Sequence, residues 1–225
     1  AFVAHNMRNE RIIDCPAYPW DEAALRERAI DEYERAYNPT GTALPVAAIA
    51  AFLDRVPDHV TVILDEAYIE MQVLDDPDAT VDLLPEHPNL VLLRTFSKVY
   101  GLAGLRCGYA LGSAGFRAAV DSVRQPFDVN SLAQAAGAEA LQHADDMIAR
   151  VERTIAERIG VEEELHDLGL RTAASQTNFS WIDLGDRDEA AIVEGLGKRG
   201  VIVRAGTPLG GPGHIRVTYG TEAEN

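Results

Sequence analysis

NLVLLRTFSKVYGLAGLRCGYALG, residues 89–112, carries the reading of the fold. Its first eight residues are a short apolar run, which suits a buried strand, and LRCGYALG (105–112) suits another. HVTVILD (59–65) is a third run of this kind. Inside the quoted stretch stands one lysine, Lys98, with Thr95 and Ser97 before it and Arg106 after it. A lysine at a strand end among small apolar residues has its charged form disfavoured by desolvation, and a nearby cation such as Arg106 pushes the same way. Neutral lysine is what addition to a carbonyl requires, so Lys98 suits a Schiff base. The bland alternative is a surface lysine with its stem laid along apolar surface.

Outward from this stretch, helices and strands alternate, which points to an α/β architecture. Residues 21–36 read as a charged helix, and NPTGTALP (38–45) as a turn. PVAAIAAFLDRV (45–56) reads as a helix with Pro45 in its first turn. SLAQAAGAEALQ (131–142) reads as a small-residue helix, and residues 144–169 as a long one that stops at Gly169. The apolar positions Ile148, Val151, Ile155, Ile159 and Leu165 predict its buried face. Beyond it, TNFSWIDLG (177–185), GVIVRAG (200–206) and HIRVTYG (214–220) read as strands, with a helix over 188–200. The expected organisation is an atypical segment 1–37, a large domain over 38–143, and a long helix with a small α/β domain over 144–225.

The chain is acidic, with a formal net charge of -16 over 225 residues. Such a field disfavours nucleic acid and anionic membrane as partners. No apolar run approaches spanning length, and residues 1–14 show no cationic leader followed by an apolar stretch. Two cysteines, Cys15 and Cys107, form no disulfide framework, and the histidines show no metal-ligand spacing, so no metal site is expected and a reducing cytoplasm is. The acids are unevenly spread. Residues 87–120 contain none where about 5 would fall by chance, yet hold Arg94, Lys98, Arg106 and Arg117. Residues 195–221 also contain none where about 4 would fall, yet hold Lys198, Arg199, Arg204 and Arg216. Buried strands explain missing acids but not retained arginines, which are rarely buried unpaired. Two local anion sites are therefore expected.

Two hydroxyls and a guanidinium beside Lys98 could hold a phosphate. A carbonyl partner next to a phosphate points to pyridoxal phosphate, which carries both groups. Asp65 closes the strand VTVIL, and ligands of α/β sheets gather at strand carboxyl ends. A carboxylate there could keep the cofactor's pyridine nitrogen protonated, and Tyr68 could hydrogen-bond its ring oxygen. Asn38 is first of all a turn residue.

NPTG (38–41), DEAY (65–68), SK (97–98) with LAGLRCGY (102–109), NF (178–179), VIVRAG (201–206) and IRVTYGT (215–221) occur in a distinctive order and spacing. Together they resemble the fold-type I pyridoxal-phosphate-dependent aminotransferases, most closely the histidinol-phosphate aminotransferase group and its aromatic aminotransferase relatives. The resemblance covers about residues 38–225. The family's N-terminal blocks find no match in residues 1–37, and a chain shortened at both ends is expected. The fold implied is an incomplete large domain, a mostly parallel sheet with helices, plus a small C-terminal α/β domain.

The resemblance implies that Lys98 binds the cofactor's aldehyde and later moves a proton at the substrate α-carbon. Asp65 would pair with the pyridine nitrogen, Asn38 and Tyr68 would contact the ring oxygen, and Thr95, Ser97 and Arg106 would hold the phosphate. Arg216 would bind the substrate carboxylate, Arg204 would lie near the substrate side chain, and Asn178 near the carboxylate. Cys107 and His214 are expected to be bystanders. The implied reaction moves an amino group between histidinol phosphate and 2-oxoglutarate in histidine biosynthesis, in a cytoplasmic homodimer. An aromatic (phenylalanine) aminotransferase, a lyase or racemase on the same fold, and an inactive fragment are the alternatives.

Overall fold

Short apolar runs become strands here because helical packing would leave them unburied on one side, and each lies between polar turns. The computed structural model describes residues 39–225. They divide into two units, Pro45–Met147 and Ile148–Asn225, with residues 39–44 grouped with the second. The expected helix over 21–36, Cys15 and Asn38 lie outside the described residues.

In the first unit, α1 (Val46–Leu53) begins at Pro45, whose extended backbone stops the helix from reaching further back. Strands β1 (Val62–Asp65) and β2 (Leu90–Thr95) pair in parallel, with Val62 opposite Leu90 and Asp65 opposite Leu93. β3 (Gly108–Leu111) pairs antiparallel on the other side of β2. The three-stranded sheet thus has the order β1-β2-β3, with one parallel and one antiparallel ladder. Its core is Leu53, Leu90 and Leu92, with Ile49, Val62, Leu64 and Leu111 packed around them. Two further helices follow. α2 (Ala114–Val123) has no counterpart in the sequence reading and is capped by Ser113, whose hydroxyl accepts the Phe116 N–H. α3 (Ser131–Ala140) is capped by Asn130, whose side-chain oxygen accepts the Ala133 N–H at 2.9 Å.

In the second unit, four antiparallel strands lie in the order β4-β5-β7-β6. They are β4 (Arg171–Thr172), β5 (Phe179–Asp183), β6 (Arg204–Ala205) and β7 (His214–Thr218). One face packs Ile182, Leu184 and Ile215 against Leu165 of α4 (Ala144–Asp167) and Ile192, Val193 and Leu196 of α5 (Glu189–Gly197). The strand expected over 200–206 shrinks to two residues, and Ile202 is 93% exposed. An apolar triplet alone therefore made no strand; only the residues opposite β7 joined the ladder.

The long helix is where expected, and Leu165 packs on the core with Val151 and Ile155 half-buried, but the apolar stripe is broken at two of its positions. Ile148 is exposed and Ile159 is 53% exposed, while Arg158 is 4% exposed. Arg158 Nη1 donates to the Thr177 carbonyl at 3.2 Å, and burial pulls its pKa below the ordinary value. One turn on, Glu162 accepts from Ser180 Oγ at 2.9 Å and from the Tyr219 hydroxyl at 3.0 Å. Burial pushes the Tyr219 hydroxyl upward, so it remains a donor in this trio. A polar seam thus replaces part of the apolar stripe, and it holds because each buried group has a partner.

Leu92 is fully buried between two ladders. Leu92→Ala is expected to lower unfolding free energy by about 2–5 kcal/mol. Ile159→Gln is expected to change it by no more than about 0.5 kcal/mol, because that side chain is largely in solvent. Urea unfolding of both variants checks the pair, and equal losses would show that Ile159 is buried after all.

Candidate functional site

The parallel ladder delivers the carboxyl ends of β1 and β2 to the same side, where ligands of α/β sheets gather. From the end of β1 come Asp65 and Tyr68; from the end of β2 come Thr95, Ser97 and Lys98. Asp65 is exposed, and its carboxylate accepts the Ala67 N–H at 3.1 Å, which turns the chain back toward Tyr68. Lys98 Nζ lies 4.5 Å from the centre of the Tyr68 ring. Among the described residues no carboxylate forms an ion pair with Lys98.

Residues 96–107 form a loop closed at its base. The Phe96 N–H donates to the Cys107 carbonyl at 3.2 Å, and the Leu102 N–H donates to the Phe96 carbonyl at 2.9 Å. Thr95 Oγ1 accepts the Ser97 N–H at 3.0 Å and donates to the Cys107 carbonyl at 3.4 Å, so its hydroxyl builds the turn. Phe96 is the anchor: its ring packs near Tyr100 (centroids 5.1 Å) and Tyr109 (5.6 Å). A Cβ added at Gly137 of α3 would lie 3.4 Å from the Phe96 ring, so a glycine lets the helix close on the loop. Gly108 has the same use, because a Cβ there would sit 2.7 Å from the Arg94 carbonyl.

Arg106 follows a short 3-10 turn and has left-handed backbone angles (φ 54°, ψ 51°). Such a conformation is uncommon for a residue with a Cβ and marks a place held by its surroundings. Its guanidinium is exposed and donates to the Ala103 carbonyl at 2.9 Å.

Arg94 corrects the expectation of a local anion site across the whole acid-free window. Its Nε donates to Glu66 at 2.8 Å, Nη1 to Asp78 at 2.8 Å, and Nη2 to the Pro77 carbonyl at 2.7 Å. Burial works against its charge, but the Asp78 and Glu66 carboxylates hold the guanidinium above its ordinary pKa. Arg94 is thus neutralised by acids from outside the window. Arg117 likewise pairs with Asp121 at 3.6 Å, just beyond it. Of the four cations, Lys98 and Arg106 are the two without an acidic partner among the described residues. Glu66 was missed in the sequence, although its place directly after Asp65 was a signal.

In the second unit, the ladder sets Arg204 of β6 directly opposite Arg216 of β7. Directly opposed residues share a face, and like charges there repel. On its other side Arg216 is opposite Trp181, and its guanidinium lies 4.4 Å from the centre of the Phe179 ring. Trp181 stacks on His214 at 5.2 Å, and His214 Nδ1 lies 3.0 Å from the Pro212 carbonyl. Asn178 precedes β5, and its carbonyl accepts the Tyr219 N–H at 3.0 Å. The neighbouring cations Lys198 and Arg199 are spent locally, on Glu194 and on the Gly195 carbonyl. The second acid-free window therefore resolves to one arginine pair. Residues 39–41 also pack in this unit: Gly41 has φ +76°, its carbonyl accepts the Gln176 N–H at 2.7 Å, and a Cβ there would meet Thr177 Oγ1.

No cluster of His, Cys, Asp and Glu able to hold a metal occurs among the described residues. The donors fit pyridoxal phosphate instead. They are a lysine free of carboxylates, a carboxylate and a phenol at the adjacent strand end, and a hydroxyl and guanidinium on the same loop.

Residues 33–225 match the family described as aminotransferase class I and II. The chain belongs to this family. It is 45% identical over 210 residues to a histidinol-phosphate aminotransferase of Geobacillus thermodenitrificans, covering 91% of this chain and 57% of that protein. That match reaches into residues 1–37, which the motifs alone leave unmatched. An aromatic amino acid aminotransferase of Mycobacteroides abscessus is 42% identical over 188 residues, covering 84% of this chain and 52% of the relative. Among solved structures, the histidinol-phosphate aminotransferase of Sinorhizobium meliloti, in complex with pyridoxal-5'-phosphate, superposes with a TM-score of 0.72 at 33% identity. It covers 83% of this chain and 52% of that one. The chain therefore spans a little over half the length of the curated relatives it matches. A structure from Clostridium acetobutylicum, at TM-score 0.79 and 21% identity, shows the aminotransferase fold alone.

The hairpin that carries both arginines is held by one carboxylate. Glu189, the first residue of α5, accepts from the Thr207 N–H (3.0 Å), the Thr207 hydroxyl (2.9 Å) and the Gly213 N–H (2.8 Å). The Thr207 N–H is the main reason its pKa lies below the ordinary 4.5. A carboxyl depressed in the folded state stabilises above its unfolded value and loses that contribution as pH falls through the folded one. Thermal unfolding followed from about pH 6 to about pH 3 is expected to show a shallower loss for Glu189→Gln than for the unaltered chain. Parallel curves would mean that Glu189 carries no linkage.

Proposed function

We propose that this chain is the working part of a pyridoxal-phosphate-dependent transaminase that exchanges an amino group between histidinol phosphate and 2-oxoglutarate. The observation that carries the reading is Lys98 Nζ poised over Tyr68 at adjacent parallel strand ends, with Asp65 beside them. The cofactor, when bound, supplies the aldehyde and an electron-withdrawing ring. Lys98 would bind the aldehyde carbon and then hold and move the proton at the substrate α-carbon. Asp65 would hold the proton on the pyridine nitrogen. Tyr68 would donate to the ring oxygen, as Asn38 would from its turn. Ser97, Thr95 and Arg106 would face the phosphate.

Arg204 opposite Arg216 supports the substrate class. A transaminase handles two substrates in turn. One here would bring a phosphate dianion and the other carboxylates, and two adjacent guanidiniums serve both as planar forks. Asn178 would assist at the carboxylate. The aromatic reading rests on the names of relatives such as the Mycobacteroides protein; its amino donor brings one anionic group and an apolar ring. Family membership is also the support for a homodimer, for a cytoplasmic place and for histidine biosynthesis. No helix among the described residues is long and apolar enough to cross a membrane.

Pyridoxal phosphate added to the purified chain is expected to give a visible band that borohydride fixes onto Lys98, and Lys98→Ala is expected to give none. A chain without that band overturns the reading. With cofactor bound, Arg216→Lys is expected to raise the KM for the amino donor by about 10-fold to about 100-fold, the loss of a charge-assisted bond, with cofactor affinity unchanged. Arg204→Met is expected to weaken histidinol phosphate more than phenylalanine; equal weakening would favour the aromatic enzyme.

A further inference from the structure

We propose that the buried Glu66–Arg94 ion pair is the positioning device that sets Tyr68 against Lys98. The inference deepens the function proposed above and rests on it for one arm of its test. The β1–β2 ladder ends with Asp65 opposite Leu93, followed by one more bond from the Glu66 N–H to the Leu93 carbonyl at 2.8 Å. From there the two chains diverge, one into the Asp65–Tyr68 corner and the other into the loop with Lys98. The ion pair crosses between them at that point of divergence, Arg94 Nε to Glu66 at 2.8 Å. The Glu66 side chain is buried, at 2% exposure, and the Arg94 side chain nearly so, at 9%. Thr80 donates to the second Glu66 oxygen, and Arg94 also reaches Pro77 and Asp78. One guanidinium thereby fastens both strand ends and the segment between them.

The charges facing this pair are Asp78 and the half-buried Glu70, with the Tyr100 and Tyr109 hydroxyls close by. Among the described residues, Arg94 is the one cation facing these three acids. Its loss would leave Glu66 buried without a counter-charge, and the corner would have to open to hydrate it. The proposed function gives Glu66 and Arg94 no role at the cofactor or the substrate. They act through Tyr68 and Lys98.

The test uses Glu66→Gln, whose amide oxygen can still accept from Thr80, and the double variant Glu66→Met with Arg94→Met, which removes both charges at once. Hydrogen exchange is read on the cofactor-free protein, and the pH midpoint and affinity of the visible band are read after adding pyridoxal phosphate. In folded variants, amide exchange in residues 66–69 and 96–102 is expected to quicken by about 10-fold, while residues 179–183 stay unchanged. The band's pH midpoint is expected to move, and cofactor dissociation to rise by about 10-fold. A folded variant with unaltered exchange or an unaltered band overturns the inference. So does unfolding of both variants, which would make the pair a general support. An unaltered chain that shows no band refutes the proposed function, whereas quickened exchange confined to the two segments would still establish the positioning of Tyr68 and Lys98.

Discussion

Two strands that run the same way must emit their next residues on the same side of the sheet. In the first unit that side receives Asp65, Tyr68, Thr95, Ser97 and Lys98 from only two strand ends. The apolar interior makes this geometry stiff: Leu90 and Leu92 are fully buried and Leu53 is nearly so. Close packing of this kind converts a small change in strand register into a large change in where a side chain points. Chemistry that depends on a lysine reaching one carbon atom is well served by such a base.

The loop that leaves β2 adds a second constraint. Its ends meet at the Phe96–Cys107 hydrogen bond, and Phe96 is held by Tyr100, Tyr109 and α3. Lys98 and Arg106 therefore hang from a closed ring of chain and not from a free arc. The second unit solves a comparable problem with a carboxylate. Glu189 draws the 207–213 turn onto α5, and β7 is left in register with β6 so that two arginines stand side by side. Like charges set directly opposite each other in a sheet repel.

Much of this was legible in the sequence because the signals were local. VTVIL and NLVLL are strands since little else can be made of short apolar runs, and the Asp65, Tyr68 and Lys98 positions follow from where those runs end. What was not legible depended on distant partners. Arg94 looked like part of an anion site until Glu66 and Asp78, 28 and 16 residues away, were found on it. Ile159 looked like core and Arg158 was not singled out, because periodicity ranks side chains by hydrophobicity and cannot know that Thr177, Ser180 and Tyr219 line the facing sheet with polar groups. VIV at 201–203 failed as a strand for a related reason: a strand needs a neighbour, and β7 offers one only to Arg204 and Ala205.

Arg106 shows where stability and use part company. Its left-handed backbone suits glycine, which would adopt it without steric penalty, whereas a residue with a Cβ spends about 1 kcal/mol there. Selection for thermal robustness alone would drift this position to glycine, and a laboratory search for hardier variants would find the same change early. What that change would give up is the guanidinium, which donates to the Ala103 carbonyl and, in the proposed function, faces the phosphate.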